Sequence, residues 1–255
     1  MRYVSIAVLV SALWTGCGRG GDRQEEVNGL RSLGALVNPL VSTPSVAGKT
    51  ATTVEVTFYA SIPLGQTATL TPFLDTGNTA GAFRVPLSGI LVESGTEKYD
   101  AHNTLQIFSQ KVLITIPTTE KLTAVSPGPF IGAQLTYGLT ITASGAKENA
   151  IGNLLVFPVG ATQLFWVNPT IKITAPASAA AVSLKKQVSI SASLTDGVPE
   201  DQKIGWFVTA GNVTNRRASN TSWTPTVSGP QTIIVTGHGV SSRGFSLDVI
   251  DVQAN

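Results

Sequence analysis

The stretch QLTYGLTITA at residues 134–143 alternates apolar and polar side chains with a period of two. The side chains that share one face of this stretch are Leu135, Tyr137, Leu139 and Ile141. A period of two is the pattern of a β-strand that buries one face and exposes the other, whereas a helix repeats about every 3.6 residues. The stretch therefore predicts a half-buried strand, and it defines the pattern to look for on either side.

Segments of the same kind flank it in the first part of the chain. They are VEVTFYA (54–60), TATLTPFL (67–74), KVLITI (111–116) and NLLVFPV (153–159), with a further strand indicated around Val37–Val41. The turn signals between them are DTGN (75–78), ESGTEK (93–98), SPGP (126–129) and SGAKENAIGN (144–153). Short strands separated by regular turns, without a helical period after the N-terminal segment, are typical of a β-sandwich.

The chain from residue 163 onward repeats this pattern as a second module. FWVNPTIKITAP (165–176) has the form of a domain boundary because a proline precedes a new strand. The strand-like segments that follow are QVSISASLT (187–195), IGWFVTAGNVT (204–214), TSWTPTV (221–227), QTIIVTG (231–237) and GFSLDVIDV (244–252). The sequence thus predicts an all-β chain with two tandem antiparallel β-sandwiches, over residues 38–162 and 163–255.

The first module resembles a bacterial Ig-like family found in surface proteins. LTYGLTITASGAKENAIGN (135–153) is similar to the last hairpin of that family, in which a Tyr-containing strand precedes a short loop and a Gly-Asn pair. VEVTFYASIPL (54–64) is similar to its early strand. The resemblance implies an Ig-like sandwich for this module.

The second module resembles PKD-like repeats, which are also Ig-like sandwiches. The motifs are the spacing of Trp206 and Gly211, the Trp-Thr-Pro segment that begins at Trp223, and Gly229. The resemblance implies that a tryptophan fills the core. GHGVSSRG (237–244) replaces the Asp-x-x-Gly turn that the family usually has before its last strand, so any role of that aspartate is lost here.

The N-terminal segment MRYVSIAVLVSALWTGC (1–17) has the form of a secretory signal. Arg2 supplies a positive charge, and the apolar run at 3–13 is shorter than the roughly 20 residues that span a bilayer. Thr15 and Gly16 before Cys17 resemble the lipobox of bacterial lipoproteins, although Trp14 stands where that family prefers Leu. The resemblance implies that residues 1–16 are removed and that Cys17 is lipidated. Ordinary cleavage, giving a soluble secreted protein, is the alternative.

The segment after the cysteine is predicted to be a tether. GRGGDRQEEVNG (18–29) is rich in glycine and charge and has no apolar period, so residues 17–37 are interpreted as a lipidated cysteine followed by a flexible linker. Gly18, where inner-membrane retention signals usually place Asp, points by resemblance to the outer membrane. The face of that membrane to which the body turns stays open.

Composition excludes several classes of function. The chain has 17 Lys and Arg against 15 Asp and Glu, a net charge of +2, and no basic stripe of the kind that nucleic acids require. Cys17 is the only cysteine and there are two histidines, so a disulfide and a conventional metal cluster are not expected. No cofactor is expected.

Two arrangements resemble catalytic motifs, and turns are the alternative interpretation of both. Asp75 begins an Asp-Thr-Gly triplet like that of aspartic proteases, but no second copy exists to complete a dyad. His238 and Ser241, with Asp248 or Asp251, would supply the residue types of a hydrolytic triad, but no Gly-x-Ser-x-Gly elbow surrounds the serine. A β-turn and a solvated hairpin turn are the favoured interpretations. His102 is interpreted as a loop residue.

Two further groups bear on ligand binding. Asp196, Glu200 and Asp201 would offer oxygens to Ca²⁺, but their spacing is not that of a known calcium loop, and a solvated turn is favoured. Among the tryptophans, Trp206 is predicted to lie in the core and Trp166 to pack between the modules. The aromatic residue predicted to face a ligand is Trp223.

The sequence therefore favours a non-enzymatic, lipid-anchored cell-envelope protein with a structural, adhesive or binding role. A carbohydrate- or peptidoglycan-binding accessory module is the first alternative, and an envelope hydrolase that uses Asp75 or His238 is the second. The expected partners are the membrane, through the N-terminal lipid, and a protein or glycan that no motif identifies.

Overall fold

The computed structural model describes residues 27, 29–38, 41–42, 52–75, 83–84, 90–116, 123–124, 133–156, 168–195, 203–238 and 244–255. All regular secondary structure in these ranges is β-strand. The first ten strands are β1 (Arg31–Asn38), β2 (Val41–Ser42), β3 (Thr52–Pro63), β4 (Thr69–Asp75), β5 (Phe83–Arg84), β6 (Leu91–Ala101), β7 (Leu105–Ile116), β8 (Thr123–Ala124), β9 (Ala133–Ala143) and β10 (Ala146–Val156). The remaining eight are β11 (Thr170–Ala175), β12 (Ala181–Val182), β13 (Val188–Thr195), β14 (Lys203–Val208), β15 (Asn212–Val213), β16 (Asn220–Thr224), β17 (Gly229–His238) and β18 (Phe245–Ala254).

The first sandwich consists of two four-stranded sheets in the orders β1-β3-β7-β6 and β2-β10-β9-β4, and β5 pairs separately with β8. The inward residues of both sheets form one apolar core, which includes Val54, Val56 and Phe58 of β3. Across the sheets, the rings of Phe58 and Tyr137 lie 5.7 Å apart. The alternation that predicted strands is thus the alternation between core and outer face.

The second sandwich pairs a β11-β13-β16-β15 sheet with a β12-β18-β17-β14 sheet. Its core contains two fully buried tryptophans, Trp206 on β14 and Trp223 on β16. The indole N–H of Trp206 donates to the Ala218 carbonyl at 2.8 Å, and that of Trp223 donates to the Ala210 carbonyl at 2.9 Å. Each ring therefore contributes its apolar area to the core without leaving a polar atom unpaired.

The chain is all-β, with tandem Ig-like sandwiches, as the sequence predicted. The alternating segments coincide with long strands, including β3, β7, β9, β13 and β18. In β9, Tyr137, Leu139 and Ile141 are buried together, which confirms the period of two for these residues.

Three local predictions were wrong. ESGTEK (93–98) is not a turn but the middle of β6, where a bulge between Ser94 and Glu97 accommodates the glycine. The turn predicted over 144–153 is only Ser144–Gly145, and the rest belongs to β10. The tether cannot extend to residue 37, because β1 begins at Arg31 and pairs with β3.

The two sandwiches lie side by side, with an outer sheet face of one against an outer sheet face of the other. In β17, Ile233 and Val235 point into the core of the second sandwich, whereas Ile234 between them points outward into a third apolar cluster. Gln231 to Gly237 are all buried, so β17 is covered on both faces. The six residues Leu105 to Gln110 of β7 are likewise all buried.

Candidate functional site

The contact between the sandwiches is centred on a third apolar cluster. Its buried members are Val27, Leu33, Leu105, Ile107, Ile234 and Phe245, with Leu36, Tyr59, Phe207, Leu247 and Val249 packed against them. Apart from Val27, which precedes β1, these residues come from β1, β3 and β7 of the first sandwich and from β14, β17 and β18 of the second. An apolar contact of this kind holds two domains in a fixed relation, whereas small polar contacts permit relative motion.

The closest approach in this cluster is between Gly34 and Phe245. Gly34 has a φ of +145°, and a β-carbon at that position would lie 2.4 Å from the Phe245 ring. A glycine is therefore required here for two reasons, the backbone conformation and the space that the ring occupies. The same ring packs against Tyr59 of the first sandwich, with centroids 5.6 Å apart.

Asn168, at the entry to the second sandwich, makes hydrogen bonds across this contact. Its amide nitrogen donates to the Val37 carbonyl at 2.8 Å, and its amide oxygen accepts from the Phe245 N–H at 3.0 Å. On the N-terminal side, the Val27 N–H donates to the Val208 carbonyl at 2.9 Å. Main-chain groups of both sandwiches are thereby joined across the contact.

One end of the contact holds a polar group around Asp251 of β18. Its carboxylate accepts from the Thr232 hydroxyl at 2.7 Å and from the Asn103 N–H at 3.2 Å, and its Oδ2 lies 3.1 Å from His102 Nδ1. The hydroxyls of Thr104 and Thr232 are 3.3 Å apart. His102 lies in the loop between β6 and β7, as predicted, and the loop is held by this carboxylate.

The other end opens into a cleft with a volume of about 490 Å³. The described residues that line it are Gly34, Ala35, Ile151, Lys203, Ile204, Gly205, Trp206, Phe207, Arg216, Arg217, Thr236, His238, Gly244 and Phe245. Three of these are cations at neutral pH and one is a histidine, and this set contains no Asp or Glu. A cleft lined by one sign of charge between apolar walls concentrates its field and attracts ions of the opposite sign.

His238 forms part of the wall of this cleft. It is the last residue of β17, and its ring lies 5.4 Å from that of Phe245. Burial lowers the pKa of His238 from its ordinary value of 6.5, and the positive charge of Lys203 lowers it further. The favoured sequence interpretation, a solvated hairpin turn, was therefore wrong for this residue.

The aspartates of the suggested triad do not serve His238. Asp248 points to the opposite face of β18, where its carboxylate accepts from the Ile173 N–H at 2.7 Å. Asp251 is held by the Thr232 hydroxyl and the Asn103 N–H at the far end of the contact. Ser241 lies outside the described residues.

The prediction that Trp223 faces a ligand was wrong. Its side chain is 0% exposed and lies in the core of the second sandwich, beside Val213 across the strand pair. Gly211 explains part of this packing, because a β-carbon there would lie 2.8 Å from the Trp223 indole nitrogen. The core position of Trp206 is confirmed.

Several predicted residues lie outside the described part of the chain. They are Trp14, Cys17, Gly77, Asn78, Trp166, Asp196, Glu200 and Asp201, together with the signal peptide and most of the tether. The backbone of Asp75 ends β4. Within the described ranges, no group of three His, Cys, Asp or Glu side chains is placed to hold a metal ion. None of the described residues forms a helix of the length and apolarity needed to cross a membrane.

Sequence reasoning missed the cationic residues of the cleft. The signal was slight, namely two adjacent arginines, Arg216 and Arg217, in a turn, and Lys203 at the start of a strand. A single charge on a turn is usually solvated, and only the packed structure brings these three to one cleft.

Comparison with known proteins identifies no family. No family model matches the sequence, and no curated protein matches it. Solved structures with a similar arrangement include the fibronectin(III)-like modules of Clostridium thermocellum CbhA, at 15% identity over 87% of this chain and 94% of that one, with a TM-score of 0.32. The N-terminal Ig1-2 module of Drosophila receptor protein tyrosine phosphatase DLAR has 8% identity over 89% and 99%, with a TM-score of 0.31. Drosophila N-cadherin EC1-3 has 11% identity over 89% and 67%, with a TM-score of 0.29.

Proposed function

We propose that this chain is a non-enzymatic binding protein of the cell envelope, in which two Ig-like sandwiches act as one rigid body. The observation that carries the proposal is the apolar cluster between the sandwiches, with Phe245 seated against Gly34. A rigid body of this kind presents binding residues from two modules in a fixed relation and avoids the entropy cost of ordering them on binding.

The proposal includes a lipid anchor at Cys17. The apolar run at 3–13 and the small residues before the cysteine support it. Several acyl chains, each contributing about 0.8 kcal/mol per buried CH₂, would hold the body at a membrane without any membrane-binding surface on the sandwiches. The outer membrane is the proposed location, because Gly18 follows the cysteine.

The anchor is tested by metabolic labelling with a radioactive fatty acid in cells that express the full chain. We expect label in the wild-type protein and none in Cys17→Ala, which should also leave the membrane fraction. Protease treatment of intact cells, with a C-terminal tag and a periplasmic marker, then reports which way the body faces. Unlabelled wild-type protein in the soluble fraction would refute the anchor.

The rigid relation of the two sandwiches is tested by small-angle X-ray scattering of the chain from residue 27 to residue 255. The wild type should scatter as one compact particle, and Phe245→Ala should scatter as a more extended one because it removes the central ring. A matched control is Phe58→Ala, which damages the core of the first sandwich but removes no side chain of the cluster between the sandwiches. A wild type that scatters as two loosely joined domains would overturn the proposal.

A second candidate function, carbohydrate binding, is favoured by one observation. The cleft between the sandwiches has a volume of about 490 Å³, which lies in the range of small-molecule sites. A glycan array probed with the full body is the direct test, and hits that are lost in Arg216→Gln/Arg217→Gln would favour this function over a purely structural one.

A further inference from the structure

We propose that the cleft between the sandwiches binds the phosphate or carboxylate group of a compact, sugar-sized ligand. This inference rests on the proposed rigid relation of the two sandwiches, and it does not depend on the lipid anchor. It rests on the charge of the cleft, on its size and position, and on the strand edge that borders it.

The charge of the cleft comes from two separate parts of the second sandwich, and a histidine lies beside them. Lys203 begins β14, Arg216 and Arg217 lie in the turn between β15 and β16, and His238 ends β17. Guanidinium groups bind phosphate and carboxylate through paired N–H donors, and a lysine adds a point charge. The described lining contains no carboxylate to compete with an incoming anion.

The cleft borders the packed contact between the sandwiches. Gly34 and Phe245 both line the cleft, and both belong to the closest contact between the sandwiches. Its walls therefore come from two domains whose relative position is fixed by the apolar cluster. A preformed site avoids the cost of ordering its walls when a ligand arrives.

The strand edge beside the cleft favours a compact ligand over an extended peptide. Ig-like sandwiches commonly bind peptides by strand addition at an open edge. Part of the outer edge of β14 is already occupied, because the Trp206 N–H donates to the Arg216 carbonyl at 3.0 Å and the Val208 carbonyl accepts from the Val27 N–H at 2.9 Å. These bonds leave a shorter edge for an added strand, and a volume of about 490 Å³ suits one or two rings.

The experiment is calorimetric titration of the full chain with four probes. These are inorganic phosphate, glucose 1-phosphate, glucuronate and uncharged glucose. We expect saturable binding of the charged sugars and none of glucose. Raising NaCl from about 0.01 M to about 0.1 M, which shortens the Debye length from about 30 Å to about 10 Å, should weaken that binding.

The variants locate the binding. Arg216→Gln/Arg217→Gln should weaken the charged probes at least about tenfold, since charge-assisted hydrogen bonds are lost. Lys185→Gln/Lys186→Gln removes the same charge from an exposed turn of the same sandwich, away from the cleft, and should change affinity less than about twofold. Lys203→Gln is a second cleft variant, in case the arginine pair disturbs folding.

The outcomes separate the sources of the anion. Tighter binding of glucose 1-phosphate or glucuronate than of inorganic phosphate supports a saccharide ligand, and equal binding of all three supports the anion site with free phosphate as the source. The proposal is overturned if no anion saturates the wild type, or if the lysine-pair control loses as much affinity as the cleft variants.

Discussion

The two ends of the contact between the sandwiches differ in charge, although one apolar cluster lies between them. At one end, the Asp251 carboxylate accepts from the Thr232 hydroxyl and the Asn103 N–H, with His102 beside it. At the other end, His238 stands beside Lys203 in a cleft whose described lining has no carboxylate. The carboxylate of the first end has its partners within the protein, whereas no described carboxylate lines the cleft that holds the cations of the second end.

This difference assigns a structural role to the Asp251 end of the contact and a binding role to the His238 end. A histidine beside a carboxylate that is already held by two donors belongs to a closed network that fixes a loop. A histidine among cations makes the folded protein less tolerant of protonation, and perturbed titratable groups of this kind cluster at functional sites. Substitutions at the shared apolar centre and at each end of the contact test this difference.

The largest effect is expected at the centre, from Phe245→Ala and Gly34→Ala. Phe245→Ala should lower the free energy of unfolding by about 3–5 kcal/mol through the cavity it leaves. Gly34→Ala should cost about 1–3 kcal/mol, because its methyl group would lie 2.4 Å from the Phe245 ring. Urea unfolding of both single variants and of the double variant measures the coupling.

The double variant should be less destabilised than the sum of the two, because the ring that the new methyl group strikes is gone. Part of the cost of Gly34→Ala should persist, since its φ of +145° is unfavourable for alanine in any surroundings. Strict additivity would mean that Gly34 and Phe245 are not in contact.

The next effect is expected at the Asp251 end of the contact, from Asp251→Ala. Removing the carboxylate leaves the Thr232 hydroxyl and the Asn103 N–H without their acceptor, at a cost of about 1–3 kcal/mol in unfolding free energy. Asp100→Ala, an exposed carboxylate on β6, is the matched control and should have little effect. Faster amide hydrogen exchange at Asn103 in Asp251→Ala would show the loosened loop.

Binding of glucose 1-phosphate should be unchanged in Asp251→Ala, because the carboxylate lies at the end of the contact opposite the cleft. A loss of affinity equal to that of the arginine variants would mean that the two ends are not independent.

A smaller effect is expected from pH at the open end. Burial, with help from Lys203, lowers the pKa of His238 below 6.5 in the folded chain, and unfolding restores the ordinary value. As pH falls below about 6.5, the unfolded chain takes up a proton that the folded chain resists. The contribution of His238 to stability is therefore fully present above about pH 6.5 and declines as pH falls toward the lowered folded-state pKa.

Thermal unfolding at a series of pH values checks this sign. His238→Gln should lose that part of the acid destabilisation, while His102→Gln at the Asp251 end should retain it. A His238→Gln profile parallel to the wild type throughout would contradict the assignment.

The smallest effect on stability is expected from Arg216→Gln/Arg217→Gln. Their backbone contacts, the Arg216 carbonyl to Trp206 and the Arg217 N–H to the Asn215 side chain, do not need the guanidinium groups. The melting temperature should therefore change by no more than about 2 °C, as for other surface substitutions. A large fall in melting temperature would assign the arginines to the fold and not to a site.

The strands were predictable because their signal is local. The period of two in 54–60 and 134–143 reports which side chains enter a core, and the structure confirms it in β3 and β9. The turn signal at 93–98 failed because a β-bulge uses the same glycine as a turn. Trp223 was misassigned because an indole on an alternating strand looks the same in sequence whether its face is inside or outside.

One signal of the packed contact was present in the sequence but was not used. The run Thr232 to Val235 has two adjacent isoleucines and does not alternate strictly, which is typical of a strand covered on both faces. The run indicates that the outer face of this strand is buried, but it does not identify the residues that cover it.

By itself, the sequence determined the all-β class, the two sandwiches and most of their strands, because alternation and turn chemistry act over a few neighbouring residues. Only the tertiary structure decided that the sandwiches lie side by side, that Asp251 meets His102, and that Lys203, Arg216 and His238 share a cleft. These relations join residues that are far apart in the chain. They depend on which outer sheet faces of the two sandwiches pack against each other and exclude water. That choice depends on the shapes of two finished surfaces, such as Gly34 against Phe245, and no local pattern records it.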